Sequence, residues 1–470
     1  MSNQHYVDLN SVDDVDHLVA SACGIENEEI VSITDEAKVQ NEIIFTLQFN
    51  ASISEDDGVK RRSIYWINKL ATVFEIQSWS NTDFYNQKAE GKHQFFTVPA
   101  VNLRMVSFHM ARSAVRAADA LGVPHIIFEL ALSEVGYTGQ QKDEYVALVK
   151  AAYISLGIKN RKIYLQADHY QLDPKKYAED SDKEMQRIKS AITKALENEV
   201  YNIDIDSSKF ETADPDKSDR ENQLENARLT AELFHFIRTY EKEHSLPCLV
   251  SIGGEVGEVG GENTKYPQVN AYLEMLHEQS EALGSGGDHG LDKVSINVGS
   301  AHGGVLGADG KPLDTVPLDF TAHHDLYMVG KDPKNPDKHV LPVQHGASTL
   351  PKKYFSLFPA MHVAEVHLAT GFQNIVWEVL EKEDNVLYEK MKLMVSEKFG
   401  EKIVGHKTEA IGFMKERKRV TEFVKKDLLL SGSVEAMELA LEEDFTTIFH
   451  SLHNLLQPKA GHVEDGDRED

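Results

Sequence analysis

A regular alternation of short apolar segments with helical patterns begins near residue 93 and constrains the fold of this chain more than any other feature. The apolar segments are rich in β-branched residues and lie at residues 94–98, 125–130, 162–166, 201–205, 248–252, 294–298, 339–343 and 365–368. Helical patterns separate most of them, at residues 106–121, 143–156, 183–198, 222–243 and 268–283. Strands that alternate with helices in this way indicate a parallel sheet joined by crossover helices.

Eight parallel strands are the number that closes a (β/α)8 barrel. We therefore predict an α/β fold, a (β/α)8 TIM barrel with an N-terminal extension and a helical C-terminal region. The alternative that periodicity leaves open is a doubly wound open sheet.

The same pattern divides the chain into four segments. They are an N-terminal extension (1–92), the barrel (93–380), a helical C-terminal region (381–457) and an acidic, disordered tail (458–470). Within the extension, residues 41–54 alternate as a strand would, whereas residues 62–76 follow a helical pattern. The extension has no role that the sequence assigns.

The composition of the chain limits the class of protein and the cellular compartment that it fits. A chain of 470 residues with 41% hydrophobic residues can bury a large core, and no apolar run reaches the roughly 20 residues that span a bilayer. The start lacks the pattern of a secretory signal, and only Cys23 and Cys248 are present, which fits a reducing compartment. We expect a cytoplasmic protein.

The formal net charge of −27 argues against broad nucleic-acid or anionic membrane surfaces as partners. A small phosphorylated molecule could still bind through backbone N–H groups. A homo-oligomer, a dimer or larger, is also expected; the helical C-terminal region could form its contact or pack on its own barrel.

Residues suited to catalysis follow the predicted strands. They are Asp168-His169, Asp206, Glu255 with Glu262, His302-Gly303, His345-Gly346-Ala347-Ser348 and Ala369-Thr370. In a barrel, all these positions share the rim at which active sites lie. Residues far apart in sequence would then converge.

Three of these residues, His169, His302 and His345, predict a divalent cation, because three imidazoles suit zinc or a similar ion and leave a position open for substrate. Two of the three are followed directly by glycine. By contrast, His323 and His324 fall in a long predicted loop and are taken as ordinary histidines.

Small residues and hydroxyls at the last strand ends predict a phosphate site. Glycine lets backbone N–H groups approach a phosphate, and the hydroxyls of Ser348 and Thr370 can add hydrogen bonds. Phosphate sites after the seventh and eighth barrel strands recur in this fold. A simple tight turn is the alternative for Gly346-Ala347-Ser348.

Taken in order, these motifs resemble the class II ketose-bisphosphate aldolases, which include the fructose- and tagatose-bisphosphate enzymes. The motifs are Asp-His, Glu-Val-Gly-x-x-Gly-Gly-Glu, Ala-His-Gly, His-Gly-x-Ser and Val-x-x-Ala-Thr, and the resemblance covers about residues 95–380. It implies zinc or another divalent cation at His169, His302 and His345. It further implies a secondary metal site at Glu255 and Asp206.

The resemblance also implies catalytic and substrate-binding residues. Asp168 matches the acid/base that acts on the hydroxyl beside the bond being broken, and Glu262 matches a mobile glutamate that moves the proton at the enolising carbon. The phosphate-binding positions that match are Gly303, Gly346, Ser348, Ala369 and Thr370.

The chain departs from the family pattern at several positions. His367 stands where a substrate-contacting asparagine is usual, and Ala347 replaces the second glycine of a His-Gly-Gly-Ser turn. Gly253 replaces a frequent glutamate, and the usual serine after the second strand is missing. Residues 128–139 look more like the large non-catalytic subunit of tagatose-bisphosphate aldolase.

The sequence therefore predicts a lyase that reversibly cleaves a phosphorylated ketose into dihydroxyacetone phosphate and an aldehyde. Two alternatives remain: a stabilising, non-catalytic aldolase subunit, and a metal-dependent aldolase for another carbonyl substrate.

Overall fold

The computed structural model describes residues 6–257, 263–299, 307, 318–332 and 335–453. The chain before the barrel forms helices, a hairpin and one added strand. The helices are α1 (Val12–Ala20), α2 (Glu36–Lys38), α3 (Ile44–Ile53), α4 (Asp57–Val73) and α5 (Thr82–Ala89), with a π-helical turn, Val39–Ile43, before α3. The strands are β1 (Cys23–Glu26), β2 (Glu29–Ile33) and β3 (Ile76–Trp79). The first two pair as an antiparallel hairpin.

The strand predicted at residues 41–54 is wrong, because this segment is helical. Every residue from Ile44 to Ser52 is buried, so α3 is enclosed on all sides and its sequence lacks the one-sided apolar period of a surface helix. Even its Asn50 is buried, where the side chain accepts a hydrogen bond from the Leu9 N–H at 3.0 Å. The helix predicted at residues 62–76 is confirmed by α4.

Eight parallel strands close a barrel in chain order, which confirms the predicted fold. The strands are β4 (Val98–Asn102), β5 (Ile127–Ala131), β6 (Arg161–Gln171), β7 (Asn202–Asp206), β8 (Ser251–Val256), β9 (Lys293–Ile296), β12 (Pro342–Gln344) and β13 (Glu365–Leu368); the short antiparallel pair β10 (Lys331–Asp332) and β11 (Asn335–His339) precedes β12. The last strand pairs with the first, in the register Val98 with Glu365. The N-terminal half of β6 extends past this ring and pairs with β3.

Five of the eight predicted strand positions are close to the observed ones. The segments predicted at residues 94–98, 248–252 and 339–343 begin three or four residues too early, and the shift is largest for the first strand, since β4 begins at Val98. The residues before it make contacts at the barrel end instead: the Thr97 N–H donates to Leu452 O at 3.1 Å, and Phe96 packs edge-on against Phe84. Tertiary contacts therefore override the aromatic, strand-like composition of this stretch.

Helices surround the barrel. They are α6 (Ser107–Leu121), α7 (Leu132–Thr138), α8 (Lys142–Ser155), α9 (Pro174–Glu179), α10 (Ser181–Glu197), α11 (Asp219–His244), α12 (Tyr266–Ala282), α13 (Phe320–Val329), α14 (Leu357–Ala360) and α15 (Thr370–Glu383). His323 and His324 lie in α13, so the predicted loop is wrong there. The His323 ring is fully buried, and this burial lowers its pKa to about 3.

The region after α15 is helical, as expected. It contains α16 (Asn385–Val404), α17 (Glu409–Glu416), a 3₁₀ turn (Arg417–Val420), α18 (Thr421–Leu430) and α19 (Val434–His453). The last helix packs on α6, where the Glu438 carboxylate lies 2.5 Å from His109 Nδ1 and 3.1 Å from both Arg112 Nε and Arg116 Nη2. One hydrophobic cluster extends from Val15 through the barrel to Leu452.

Two further expectations concern the whole chain. Among the helices that the structure describes, none has the length and apolar character needed to cross a membrane. The predicted acidic tail, residues 458–470, lies outside the described residues.

Candidate active site

The carboxyl ends of the barrel strands surround a cavity of about 1040 Å³. Most of the predicted site residues line it: Asp168, His169, Asp206, Glu255, His345, Gly346, Ser348, His367, Ala369 and Thr370. Ala347 is fully buried in the same turn. Glu262, His302 and Gly303 lie outside the described residues.

A β-bulge explains how two neighbouring residues, Asp168 and His169, both line the cavity. In a regular strand, consecutive side chains point to opposite faces. The pairing of β6 with β7 shifts register between Ala167 and Tyr170, and His169 has a left-handed φ of 46°. Such bulges re-aim side chains next to active sites. The bulge in β6 therefore lets both Asp168 and His169 line the cavity.

His169 lies between two carboxylates. Its Nδ1 is 3.2 Å from Asp206 Oδ2, at the end of β7, and 3.2 Å from Glu255 Oε2, on β8. Burial opposes charge on this imidazole, but Asp168 and Glu255 outweigh burial and raise the pKa of His169 well above its ordinary value. Burial and the charge of Asp206 raise the pKa of Glu255 to about 7.

His345 meets His169 across the cavity. The two ring centroids are 4.3 Å apart, and His345 Nδ1 is 4.0 Å from Asp168 Oδ1. The expected meeting of His169 and His345 is therefore observed, although 176 residues separate them in the chain.

These residues fit a divalent cation. Asp168, His169 and His345 offer ligand atoms within 4.8 Å of one another, and so do His169, Asp206 and Glu255. Imidazoles and carboxylates are ligands that zinc and similar ions accept. A cation there would favour ionised carboxylates and neutral imidazoles, which relieves the raised pKa values of the site.

His367 lies on β13 and lines the cavity. Carboxylates also flank both of its ring nitrogens. Nδ1 is 2.6 Å from Glu129 Oε2 and 3.3 Å from Asp168 Oδ1, whereas Nε2 is 2.7 Å from Glu365 Oε1. The ring also stacks on His345 with a centroid distance of 3.9 Å. Burial opposes its charge, but Glu129 and Asp168 raise the pKa of His367 well above its ordinary value.

The last two barrel strands end in turns of small residues and hydroxyls. Gly346 has a φ of 70°, which glycine adopts without strain, and the Ser348 hydroxyl accepts a hydrogen bond from the Gly371 N–H at 3.1 Å. A side chain at Gly371 would meet the Ser348 carbonyl oxygen at 2.3 Å. Thr370 is the first residue of α15, so its hydroxyl lies at a helix N-terminus, where anions bind readily.

Comparison with known families identifies the group to which this architecture belongs. The sequence model described as "Fructose-bisphosphate aldolase class-II" matches residues 84–434, about three quarters of the chain. The chain belongs to the class II fructose-bisphosphate aldolase family. No curated protein sequence matches it.

Several solved structures are similar to this class II family member at low sequence identity. A probable tagatose 6-phosphate kinase from Sinorhizobium meliloti 1021 has a TM-score of 0.55 at 15% identity, covering 76% of this chain and 100% of that one. A fructuronate-tagaturonate epimerase from Cohnella laeviribosi has a TM-score of 0.53 at 12% identity, covering 86% and 89%. Fructose-bisphosphate aldolase from Campylobacter jejuni reaches a TM-score of 0.46 at 16% identity, covering 80% and 95%.

The barrel of this class II aldolase family member also holds a lysine that sequence reasoning missed. Lys293 begins β9, and its ammonium is 2.6 Å from Glu365 Oε1, 3.1 Å from Asp204 Oδ2 and 2.9 Å from Gln166 Oε1. Burial opposes its charge, but Asp204 and Glu365 outweigh burial and raise its pKa. A lysine held in its charged form is not a nucleophile, which agrees with the metal-dependent family.

A sequence signal for this buried network existed. Lysine at the start of an apolar strand, and glutamates within the apolar strands β5 and β13, break the pattern expected of strands with two buried faces. Such residues inside a barrel need partners of opposite charge. Glu129, Glu365 and Lys293 could thus have been predicted to need charged partners, which are His367 for Glu129 and each other for Lys293 and Glu365.

Proposed function

We propose that this family member is a metal-dependent aldolase that reversibly cleaves a phosphorylated ketose into dihydroxyacetone phosphate and an aldehyde. The observation that carries the proposal is the approach of two imidazoles, His169 and His345, whose ring centroids lie 4.3 Å apart beside the Asp168 carboxylate at the cavity. Residues of this kind at the carboxyl ends of barrel strands are where catalysis takes place in this fold. We further propose that it acts in the cytoplasm as a homo-oligomer.

Zinc or another divalent cation would be held by His169 and His345 together with His302, with Glu255 and Asp206 forming the secondary position. It would supply positive charge to the carbonyl oxygen on which negative charge develops during cleavage. Imidazole ligands alone do not distinguish zinc from cobalt, iron or manganese.

Asp168 takes the role of general acid/base. Its carboxylate is buried beside His345 and His367, and it lines the cavity that substrate would enter. In cleavage, Asp168 accepts the proton of the hydroxyl next to the breaking carbon–carbon bond, and the electron pair of that bond passes toward the carbonyl. Glu262 returns a proton to the enolising carbon, and the turns at Gly303, Gly346, Ala347, Ser348, Ala369 and Thr370 bind phosphate.

The first test is metal removal. Exhaustive dialysis against EDTA should abolish cleavage of hexose bisphosphates in a coupled assay, and zinc or cobalt should restore it, because the site residues alone do not offset the charge of the reaction. Magnesium, which prefers oxygen ligands, serves as the control addition. Cleavage that persists after complete chelation would overturn the proposal.

The second test is the Asp168→Asn variant, which removes the base but keeps the shape of the side chain. It should retain about the same bound metal as the original chain and lose about a hundredfold or more in kcat. Metal content is measured by mass spectrometry on the same sample. A fully active variant would contradict the acid/base role.

Two other functions remain candidates. A non-catalytic subunit that stabilises a separate aldolase is favoured by the likeness of residues 128–139, and inactivity of the isolated, metal-loaded chain on every ketose phosphate would support it. A metal-dependent aldolase for a different carbonyl compound is favoured by His367, which carries carboxylates on both nitrogens where the family usually has an asparagine.

A further inference from the structure

A buried arginine stands beside the predicted phosphate-binding hydroxyls. Arg104 follows β4, and its guanidinium is held by Glu134 of α7, with Nε 2.7 Å and Nη2 2.5 Å from Oε1. The remaining nitrogen, Nη1, is 3.3 Å from the Thr370 hydroxyl. Only 11% of the Arg104 side chain is exposed. The guanidinium is thus fixed in one orientation at the edge of the cavity.

A second cation reaches the same place from the C-terminal region. Lys418 lies in the 3₁₀ turn after α17, lines the cavity, and has its ammonium 5.2 Å from the centroid of the Tyr137 ring. Tyr137 in turn donates a hydrogen bond to Glu134 at 3.1 Å. Lys418 and Arg104 therefore approach the two sides of one small group of α7 side chains.

Among the described residues, Lys418 differs from its two neighbours in having no side-chain hydrogen bond or ion pair. Arg419 pairs with Glu416 at 2.6 Å, and Arg417 donates to Asn374 at 2.5 Å. Within the part of the chain that the structure describes, no carboxylate lies within ion-pair distance of the Lys418 ammonium. Burial and the positive charge of Arg104 lower the pKa of Lys418 to about 8. Lys418 is therefore half-buried, and its ammonium makes no direct ion pair with the carboxylates near it in the described part of the chain.

The positive charges of Arg104 and Lys418 at this corner of the cavity favour the binding of an anion. Arg104 and Lys418 lie near two carboxylates, and both are already engaged: Glu134 accepts hydrogen bonds from Arg104, Asn102 and Tyr137, and Glu416 pairs with Arg419. The whole chain, by contrast, carries a net charge of −27. Like charges held together in a concave, partly desolvated site attract an anion and bind it more strongly than exposed charges do.

We propose that Arg104 and Lys418 together bind a phosphate group of the substrate at the corner of the cavity next to Thr370. A phosphomonoester fits better than a carboxylate because it brings nearly two negative charges and three acceptor oxygens to donors that come from three directions. The helical C-terminal region thereby contributes a side chain to substrate binding. This inference rests on the proposed function, since it identifies how that same site holds the phosphate of a sugar.

The test compares the original chain with Lys418→Met, Lys418→Arg and Lys407→Met, with inorganic phosphate as the probe in isothermal titration calorimetry. Arg104 is left unchanged because its removal would leave Glu134 buried without a counter-ion and destabilise α7. Lys407 is exposed, lies outside the cavity lining, and gives the same change in charge. It is the matched control.

Phosphate affinity should fall about tenfold or more in Lys418→Met, remain within about threefold in Lys418→Arg, and be unchanged in Lys407→Met. Acetate should bind the original chain at least about tenfold more weakly than phosphate. Equal affinity of the original chain and Lys418→Met for phosphate would overturn the inference, and so would acetate binding as tight as phosphate binding.

Steady-state kinetics separate this inference from the proposed function. With a cleavable ketose phosphate, Lys418→Met should raise KM and leave kcat within about threefold, since the lysine binds a part of the substrate that does not react. A chain that binds phosphate through Lys418 yet cleaves no ketose phosphate would overturn only the aldolase proposal. If the original chain and Lys418→Met cleave the sugar with the same KM, only the inference is overturned.

Discussion

At the scale of single residues, His367 best shows how this chain departs from its family. Its two nitrogens face Glu129 and Glu365 at 2.6 and 2.7 Å, and all three side chains are buried. Neutral asparagine, usual at this position, needs no such partners. The imidazole and the two carboxylates therefore form a unit in which each charge depends on the others.

We predict that His367→Asn destabilises the protein by about 3 kcal/mol, because it leaves the buried Glu129 carboxylate without its cation, whereas Glu365 keeps Lys293. Chemical denaturation at pH 7 measures the change in the free energy of unfolding. The double variant His367→Asn with Glu129→Gln should recover part of the loss, since it also removes the charge that the single variant leaves without a partner. A single variant as stable as the original chain would show that the imidazole carries no structural charge.

At the scale of elements, the contact between α6 and α19 contains one buried glutamate among apolar side chains. Glu438 is 10% exposed and faces His109, Arg112 and Arg116. Burial by itself would raise its pKa, but these partners outweigh burial and lower the pKa of Glu438 from 4.5 to about 2. A carboxyl whose pKa is lower in the folded state stabilises the fold above its unfolded pKa, and this stabilisation is lost as pH falls toward the folded value.

The Glu438→Gln variant should accordingly lose about 3 kcal/mol of unfolding free energy at pH 7, and the difference from the original chain should shrink as pH falls below about 4.5. Urea denaturation at pH 7 and at several lower pH values measures this. Glu442→Gln is the control on the same helix: its carboxylate is one-third exposed and should cost less than about 1 kcal/mol. A gap for Glu438→Gln that does not change with pH would refute the charged role.

At the scale of the whole molecule, the alternation of strands and helices was enough to predict the barrel, because each buried parallel strand leaves an apolar run. The approach of His169 and His345 could also be predicted from the sequence, because the carboxyl ends of barrel strands lie at one rim. The helix at residues 44–53 did not follow, because burial on all sides removes the period that distinguishes helix from strand. Nor did the approach of Arg104 and Lys418, which depends on how the C-terminal region docks.

The pairing of β13 with β4 has a consequence for synthesis. Until the ribosome has released the final barrel strand, the first one keeps an open edge whose N–H and C=O groups can join any other extended peptide. The nascent chain therefore exposes this unpaired edge during most of its translation. We expect molecular chaperones to protect the edge during this time. A chain that terminates before residue 365 would keep the edge open and would tend to aggregate.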